Sequence, residues 1–422
     1  MAFKDIRRSR KWLSAEEVRF LVLLGLALAV VIALNLYLAR TLPGGELFFQ
    51  RWSGARTYLS GQVEPYSATI AERVQQIAYG RAAFSSEYPY VLNDPFPIVL
   101  LYVPMALISD FVIARGLWML ISEILLVATV FYFLRLLEWE PPRWLYGCIL
   151  VFSVLGYFSL IAVGAGTQAI VFTFFNVLIL NALRSFSDDL AGAVLFLIAY
   201  QWEVNALFFL FIVVFVFVNR RWRVLSGFGM SLFLLIAISL LAYPGWGLPY
   251  VRGVLSDWYR GVELTFGHII SFWFPESRLP IGLWTAVGLG AIVLAEWVGA
   301  VNSHVRRIAW TASLSLAVTP LMGFAIFPSN HVVLLPAFIL ILMLVWERWT
   351  RRRVWFTLIV FLSAFLVPFA LYVGVNRDYN PLLLSDLLTV LPPVATVIGL
   401  YWMRWWAVRS PRTWFDQLEI RK

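Results

Sequence analysis

Twelve apolar runs, each bounded by charged or turn-forming residues, dominate this chain and leave it few ways to fold. They fall near 18–40, 97–110, 112–136, 144–163, 167–184, 190–218, 224–243, 281–300, 308–327, 331–347, 354–375 and 384–404. A helix needs roughly 20 apolar residues to cross the ~30 Å hydrocarbon core, so most runs have crossing length, the second being short and the sixth long. Lipid offers no water to unpaired backbone groups, and a helix satisfies its own internally. The expected fold class is an all-α polytopic membrane protein of about 12 transmembrane helices, one transmembrane domain over 1–422.

Hydrophobic residues make up 61% of the chain and charged residues 14%, more apolar surface than a water-facing shell can hide. The net charge of +9 sits in short clusters between apolar runs, which speaks for membrane lipids and against nucleic acid as partners. Twenty tryptophans suit side chains that straddle a lipid–water boundary. Cys148 is the single cysteine, which excludes internal disulfides and cysteine metal clusters. The basic N-terminus leads into the first run without a small-residue cleavage site, so a retained first helix is expected.

Basic residues concentrate on the cytoplasmic side of membrane proteins, and this orients the chain. With Arg7, Arg8, Arg10 and Lys11 inside, counting crossings puts Arg220, Arg221 and Arg223 inside too. Arg306, Arg307, the arginines of 348–353 and the tail from Arg404 follow. Both termini are expected in the cytoplasm, with the chain in the plasma membrane. Two long segments fall outside, 41–96 and 243–280. Within the first, 46–61 reads as an interfacial helix with Phe48, Phe49, Trp52 and Tyr58 toward lipid. The sixth run carries Gln201, Glu203 and Asn205 at its middle, which predicts two half-helices meeting at a polar break. By the same count, Gly164, Gly166 and Gln168 form a tight cytoplasmic turn.

The first outer loop offers carboxylates at Glu46, Glu64, Glu72, Glu87 and Asp94, and guanidinium groups at Arg51, Arg56, Arg73 and Arg81. A carboxylate just beyond the membrane can take a proton from a hydroxyl, and arginines can grip a lipid phosphate through paired N–H groups. Taken singly, each is more readily a solvated loop charge or a snorkelling group. In FPSNHVVLLPAFILIL, Asn330 and His331 open an apolar helix on the outer side. Free N–H groups and the positive dipole end suit a phosphate there, although a loop histidine marking a helix start fits as well. His268, in the second outer segment, is a further candidate, and His304 falls in a cytoplasmic loop. No Asp-x-Asp, HExxH, P-loop or nucleophile elbow occurs. Neither a nucleotide-sugar nor a metal mechanism therefore has support, and no cofactor or metal is expected.

The order of these stretches resembles a known family. GARTYLSG is followed by PY at 65–66, by EYPYVLNDPFPIVLL, by Pro104 and by ARGLW at 114–118. This succession resembles the N-terminal signature of glycosyltransferase family 87, the polyprenyl-phosphate-mannose-dependent mannosyltransferases of the GT-C superfamily. PSNHVVLLPAFILIL is similar to that family's W-x-H-H-x-x-L-L-x-P segment, and ELTFGHIISFWF to its Asn-x-Ser element. The likeness runs from about residue 41 to 345.

The resemblance implies a GT-C-like fold and an inverting hexosyltransferase, usually a mannosyltransferase, working outside the cytoplasm. Its donor would be a polyprenyl-phosphate-linked sugar and its acceptor a hydroxyl on a lipid or glycan. Glu46 stands near the family's Asp as general base, with Asp94 in reserve. Asn330 and His331 stand where the family has two histidines, and with Arg51 and Arg56 they would hold the donor phosphate. Trp52, Asp257, Arg260 and His268 would contact sugar or acceptor. Binding charge that grows on the leaving phosphate only in the transition state is how such a site would accelerate transfer. A second reading keeps the cavity without the chemistry: a catalytically degenerate relative or a lipid-linked-sugar carrier, with Gln201 and Glu203 along a path through the bilayer.

Overall fold

The computed structural model describes residues 15–61, 64–84, 88, 90–260, 265–275, 281–324, 326–375 and 381–409, and all regular structure among them is helical. α1 (Ala15–Thr41) is followed by α2 (Glu46–Ser60), α3 (Ala68–Tyr79) and the short α4 (Phe96–Leu101) and α5 (Val103–Ala106). α6 (Phe111–Leu137) starts at Asp110, whose carboxylate accepts the N–H groups of Val112 and Ile113. α7 (Arg143–Leu155) and α8 (Tyr157–Ala165) form one path broken at Gly156. Next come α9 (Ala169–Arg184), α10 (Asp188–Ile198), α11 (Trp202–Val218) and α12 (Trp222–Ala242). α13 (Gly247–Arg260) and α14 (Phe266–Trp273) precede α15 (Ile281–Ala300) and α16 (Val305–Val318). Short 3-10 stretches at Thr319–Met322 and Pro328–Leu334 lead into α17 (Leu335–Arg348), and α18 (Arg353–Val375), α19 (Pro381–Trp402) and α20 (Arg404–Val408) complete the path.

Among the described residues, seven stretches are long and apolar enough to cross a membrane: α1, α6, α7 with α8, α12, α15, Pro328–Arg348 and α18. Large apolar side chains point outward along them, Leu241 being 87% and Val298 83% exposed, a surface suited to lipid and not to water. The chain is a polytopic α-helical membrane protein.

The two ends of the bundle differ in charge. At one, Arg184 pairs with Glu138, Arg221 with Asp188, Arg306 with Glu347 and Arg404 with Glu296. Arg184 also donates to the Arg135 and Leu136 carbonyls, and Arg221 to that of Leu183. Asn219 donates to the Val301 carbonyl at 3.1 Å, and His304 Nε2 lies 3.2 Å from that of Ala407. The connections that close these helices therefore share one arginine-rich end. The basic residues at 7–11, Glu87, and the tail beyond 409 lie outside the described residues.

Two of the twelve runs fold differently from expectation. Run 97–110 is no crossing: α4 and α5 have 6 and 4 residues and pack back on α2. Phe96, fully buried, meets the rings of Tyr58 and Tyr243 at 5.0 and 5.4 Å, so protein and not lipid covers this run. Run 190–218 is two legs. Asp188 begins α10 and Arg221 follows α11, yet the two are ion-paired. The chain thus leaves the arginine-rich end in α10, reverses at Tyr200 and Gln201, and returns in α11. The predicted break exists, as a hairpin tip and not as a point halfway across.

The two departures cancel in the count and reverse the direction of everything between them. The turn at 164–168, expected with the cytoplasmic arginines, lies at the opposite end, where Gly164 meets Arg115 and Thr167 meets Asn330. Arg135 and Arg184 join the arginine-rich end instead. α10 and α12 start together there and lie nearly in backbone contact. A Cβ on Gly192 would stand 1.9 Å from the Val224 carbonyl oxygen, and one on Gly227 2.3 Å from that of Asp189. Only glycine permits this approach, and close van der Waals contact is what holds helices together in lipid.

α2 forms where the sequence predicts it and ends at Gly61 in the left-handed conformation. Its aromatic face meets protein. Phe48 and Trp52 are buried, Phe49 and Tyr58 half-buried, and Phe48 stacks on Trp118 at 5.2 Å. The face expected toward lipid is turned toward α4, α5 and α6.

Candidate functional site

The end opposite the arginines is organised by one buried cation from α6. Arg115 donates to the carbonyls of Ala39, Leu42, Pro43 and Gly164 at 3.2, 2.9, 3.1 and 3.2 Å. It thereby ties the end of α1, the α1–α2 connection and the end of α8 to one point. Gly44 and Gly45 wrap this guanidinium with φ of 112° and 83°, and a Cβ on Gly45 would sit 2.7 Å from Arg115 Nε. The chain leaves that clamp directly into α2, whose first residue is Glu46.

Glu46 is half-buried at a helix N-terminus, where the dipole favours a carboxylate. Burial pushes its carboxyl above the ordinary carboxylate range, and its own backbone N–H and the Arg115 charge draw it only part of the way back. Tyr90 lies within electrostatic reach: burial, then the Glu46 charge, raises its phenol. Tyr90 also holds a φ of 50°, a strained conformation of the kind that collects at functional sites. Its ring meets Tyr88 at 5.1 Å, and Tyr88 meets Phe327 at 5.1 Å, so this loop joins the Glu46 corner to the segment before Asn330.

Asp94 and Arg51 lie deeper. Arg51 Nε stands 2.6 Å from Asp94 Oδ2, both side chains buried. The contact lies off the hydrogen-bond direction, so neither atom has a directed partner. Burial raises the Asp94 carboxyl and Arg51 partly offsets this; we take the pair as ionised, because neutralising Asp94 would leave the buried guanidinium only the Leu47 carbonyl, at 2.8 Å. Tyr66 donates to the Asp94 backbone carbonyl at 2.9 Å, and Tyr200 donates to Gln168 Oε1 beside the pair. Gln168 Nε2 is buried without a partner.

Arg56 and Trp52 are likewise occupied. Arg56 donates to the Ala106 carbonyl at 2.8 Å and lies 5.6 Å from the Trp52 ring, while Trp52 Nε1 shares its proton between the Met105 and Ile108 carbonyls at 3.2 and 3.3 Å. The structure thus draws Arg51, Arg56, Trp52 and Asp94 into one inward-facing cluster that binds α2 to 94–108.

Asn330 Oδ1 accepts the Thr167 hydroxyl at 3.2 Å. His331 is buried, places Nε2 2.8 Å from the Thr389 carbonyl oxygen, and meets Phe158 edge-on at 5.3 Å. Since a carbonyl only accepts, Nε2 carries the proton. His331 also lines a cavity of about 430 Å³ between α7–α8, α17, α18 and α19, with Phe152, Phe338, Val360 and Leu391 among its walls and Trp402 at its far end. From Leu387 to Trp402 along α19 this is ~22 Å at 1.5 Å per residue, most of a membrane thickness.

His268 is exposed on α14, and no described contact brings it to Glu46 or His331. The side chains of Asp257 and Arg260 lie outside the described residues. Sequence reasoning assigned no role to Arg115, Tyr90, Thr167, Gln168 or Tyr200. Arg115 had a signal, an arginine five residues into an apolar helix. Gln168 had one too, hidden by the reversed direction of α9. The chain matches no protein-family model, no curated protein and no solved structure.

Proposed function

We propose that this chain is an inverting, membrane-embedded glycosyltransferase. It takes a sugar, mannose in the first instance, from a polyprenyl-phosphate donor and passes it to a lipid or glycan hydroxyl outside the cytoplasm. The observation that carries this reading is the apolar slot that runs most of the bundle's length and reaches His331, the residue after Asn330 in the chain. A prenyl chain fits such a slot, with its phosphate at the polar end. The sequence resemblance to glycosyltransferase family 87, which implies a GT-C-like fold, supports the same assignment.

The arginine-rich end is then cytoplasmic, with both termini in the cytoplasm and the protein in the plasma membrane. α9, α10, α11, α16 and α19 make five passes that, added to the seven long stretches, give twelve. In the reaction, Glu46 accepts the acceptor's hydroxyl proton as that oxygen attacks the anomeric carbon. The bond from that carbon to the phosphate oxygen breaks, and the lipid phosphate leaves from the opposite face with its electron pair. The Asn330 amide and the Thr167 hydroxyl, bonded to each other beside His331, would meet the growing charge. Glu46, raised by burial, is the better base for being so.

A carrier that moves lipid-linked sugar without chemistry is the second reading. It needed Gln201 and Glu203 midway across the bilayer; the hairpin places this stretch beside Tyr200 and Gln168, at the Asp94 end, and so favours the transferase. The test is label transfer from a radiolabelled polyprenyl-phosphate-mannose pool to lipid acceptors in membranes containing the protein. Wild type transfers label, and Glu46→Gln loses about a hundredfold or more. Wild-type rates in Glu46→Gln would remove Glu46 as base. No transfer with several sugars, alongside retained donor binding, would establish the carrier or a degenerate relative.

A further inference from the structure

The slot has a second end whose chemistry differs from the first. Trp402 lines it there and also stands over Arg348, whose guanidinium carbon lies 5.5 Å from that ring, 4.3 Å from Trp349 and 4.1 Å from Trp406. Aromatic faces stabilise this cation without neutralising it. Arg353 lies over Trp346 at 4.5 Å. The connection from α17 to α18 adds Arg351 and Arg352, and with Arg353 they are exposed.

The acids nearby are taken. Glu347 accepts two hydrogen bonds from Arg306 at 2.8 and 2.9 Å, and Glu296 accepts two from Arg404 at 2.7 and 3.1 Å. Among the described residues no carboxylate pairs with Arg348, Arg351, Arg352 or Arg353. A cluster that served only to orient the chain would need no opening beside it. Here Trp402 belongs both to the arginine cage and to the apolar slot, so an unneutralised cationic patch is continuous with a lipid-sized groove.

We infer that this mouth binds a diacyl anionic phospholipid of the cytoplasmic leaflet. Its phosphate lies against Arg351, Arg352 and Arg353, with Arg348 beneath, and one acyl chain packs on Trp402 at the slot's mouth, leaving the slot's length to a donor's prenyl chain. The site stands ~22 Å along α19 from the His331 end, so the lipid does not compete for the position given to a donor phosphate. It fixes the depth of the slot from below and braces α18 against α19. The inference goes beyond the transferase reading and stands without it.

The test uses the full chain purified in detergent and titrated with short-chain phosphatidylglycerol or phosphatidylcholine, read by native mass spectrometry. Wild type prefers phosphatidylglycerol by roughly tenfold or more, since interfacial arginines draw anionic headgroups. The variant R351Q/R352Q/R353Q changes only exposed side chains and loses the preference. Trp402→Ala weakens both lipids together and keeps the preference. Equal affinity of wild type for the two lipids, or a preference that survives the triple substitution, would overturn the site. So would displacement of the lipid by inorganic phosphate at comparable concentration, which would make the patch a plain anion site. No sugar donor enters the assay, so failure of the transferase reading leaves its outcome unchanged.

Discussion

Glu46 and Asp94 are two carboxylates of the segment between α1 and α6, and their surroundings divide them. Asp94 is sealed in with a guanidinium at 2.6 Å and a tyrosine on its carbonyl. Glu46 lies half-buried at a helix start, facing Tyr90, with Arg115 acting on it only through space because that guanidinium is spent on carbonyls. One carboxylate is buried in an ion pair, and the other has no ion pair among the described residues. Residue type alone could not separate them.

The largest expected effect breaks the structural member. Asp94→Asn leaves Arg51 buried and uncompensated, which costs about 3–5 kcal/mol in stability. Thermal unfolding of the purified protein in detergent reads it. The double substitution R51M/D94L restores much of the loss, because removing both charges leaves none stranded. An Asp94→Asn protein that unfolds like wild type would make Asp94 a free carboxylate and erase the contrast with Glu46.

The middle effect concerns the clamp. Arg115→Gln keeps a donor but cannot reach four carbonyls, so the buried Ala39 carbonyl and the partly exposed acceptors of the connection and α8 go unpaired. Each unmet buried acceptor costs about 1–3 kcal/mol, and partial relaxation leaves a total near 2–3 kcal/mol. The same substitution frees the Gly44–Gly45 turn that aims Glu46, so transfer activity falls further than stability predicts. Hydrogen exchange of 40–46 would rise. Unchanged exchange there would mean that the turn holds its own shape.

Much of this was legible in the sequence. The class, the position of α2 and the break at Gln201 follow from apolar run lengths and from polar residues inside them. The direction of α6 to α9 did not follow, for a physical reason. Run 97–110 has the composition of a lipid-facing helix, and composition does not distinguish burial in lipid from burial under α2. The reverse error arose at 190–218, where hydropathy runs unbroken through a hairpin and only the Asp188–Arg221 pair reveals that both feet stand together. Arginine counting could not catch the pair of errors, since it reads parity alone. The same parity argument sends the turn at 164–168 to the wrong end, and Gln168 with it.

The smallest effect is the most discriminating, because stability and activity should move in opposite directions with pH. Burial raises the Glu46 carboxyl in the folded protein above its unfolded value. The folded state therefore holds the proton more tightly, and the group costs stability once pH climbs through the unfolded value toward the raised one. Glu46→Gln removes that cost, so the variant is slightly more stable than wild type at neutral pH, by under about 1 kcal/mol for a partly buried group beside solvent. The difference vanishes in acid below the ordinary carboxylate range. Activity has the reverse sign: a general base must be ionised, so wild-type transfer falls as pH drops through the raised value. Melting temperatures of both proteins across pH, set beside the transfer profile, check the two limbs together. If Glu46→Gln is destabilised like Asp94→Asn, then Glu46 too is a structural anchor, and the carboxylate left for chemistry must be sought elsewhere in the loop.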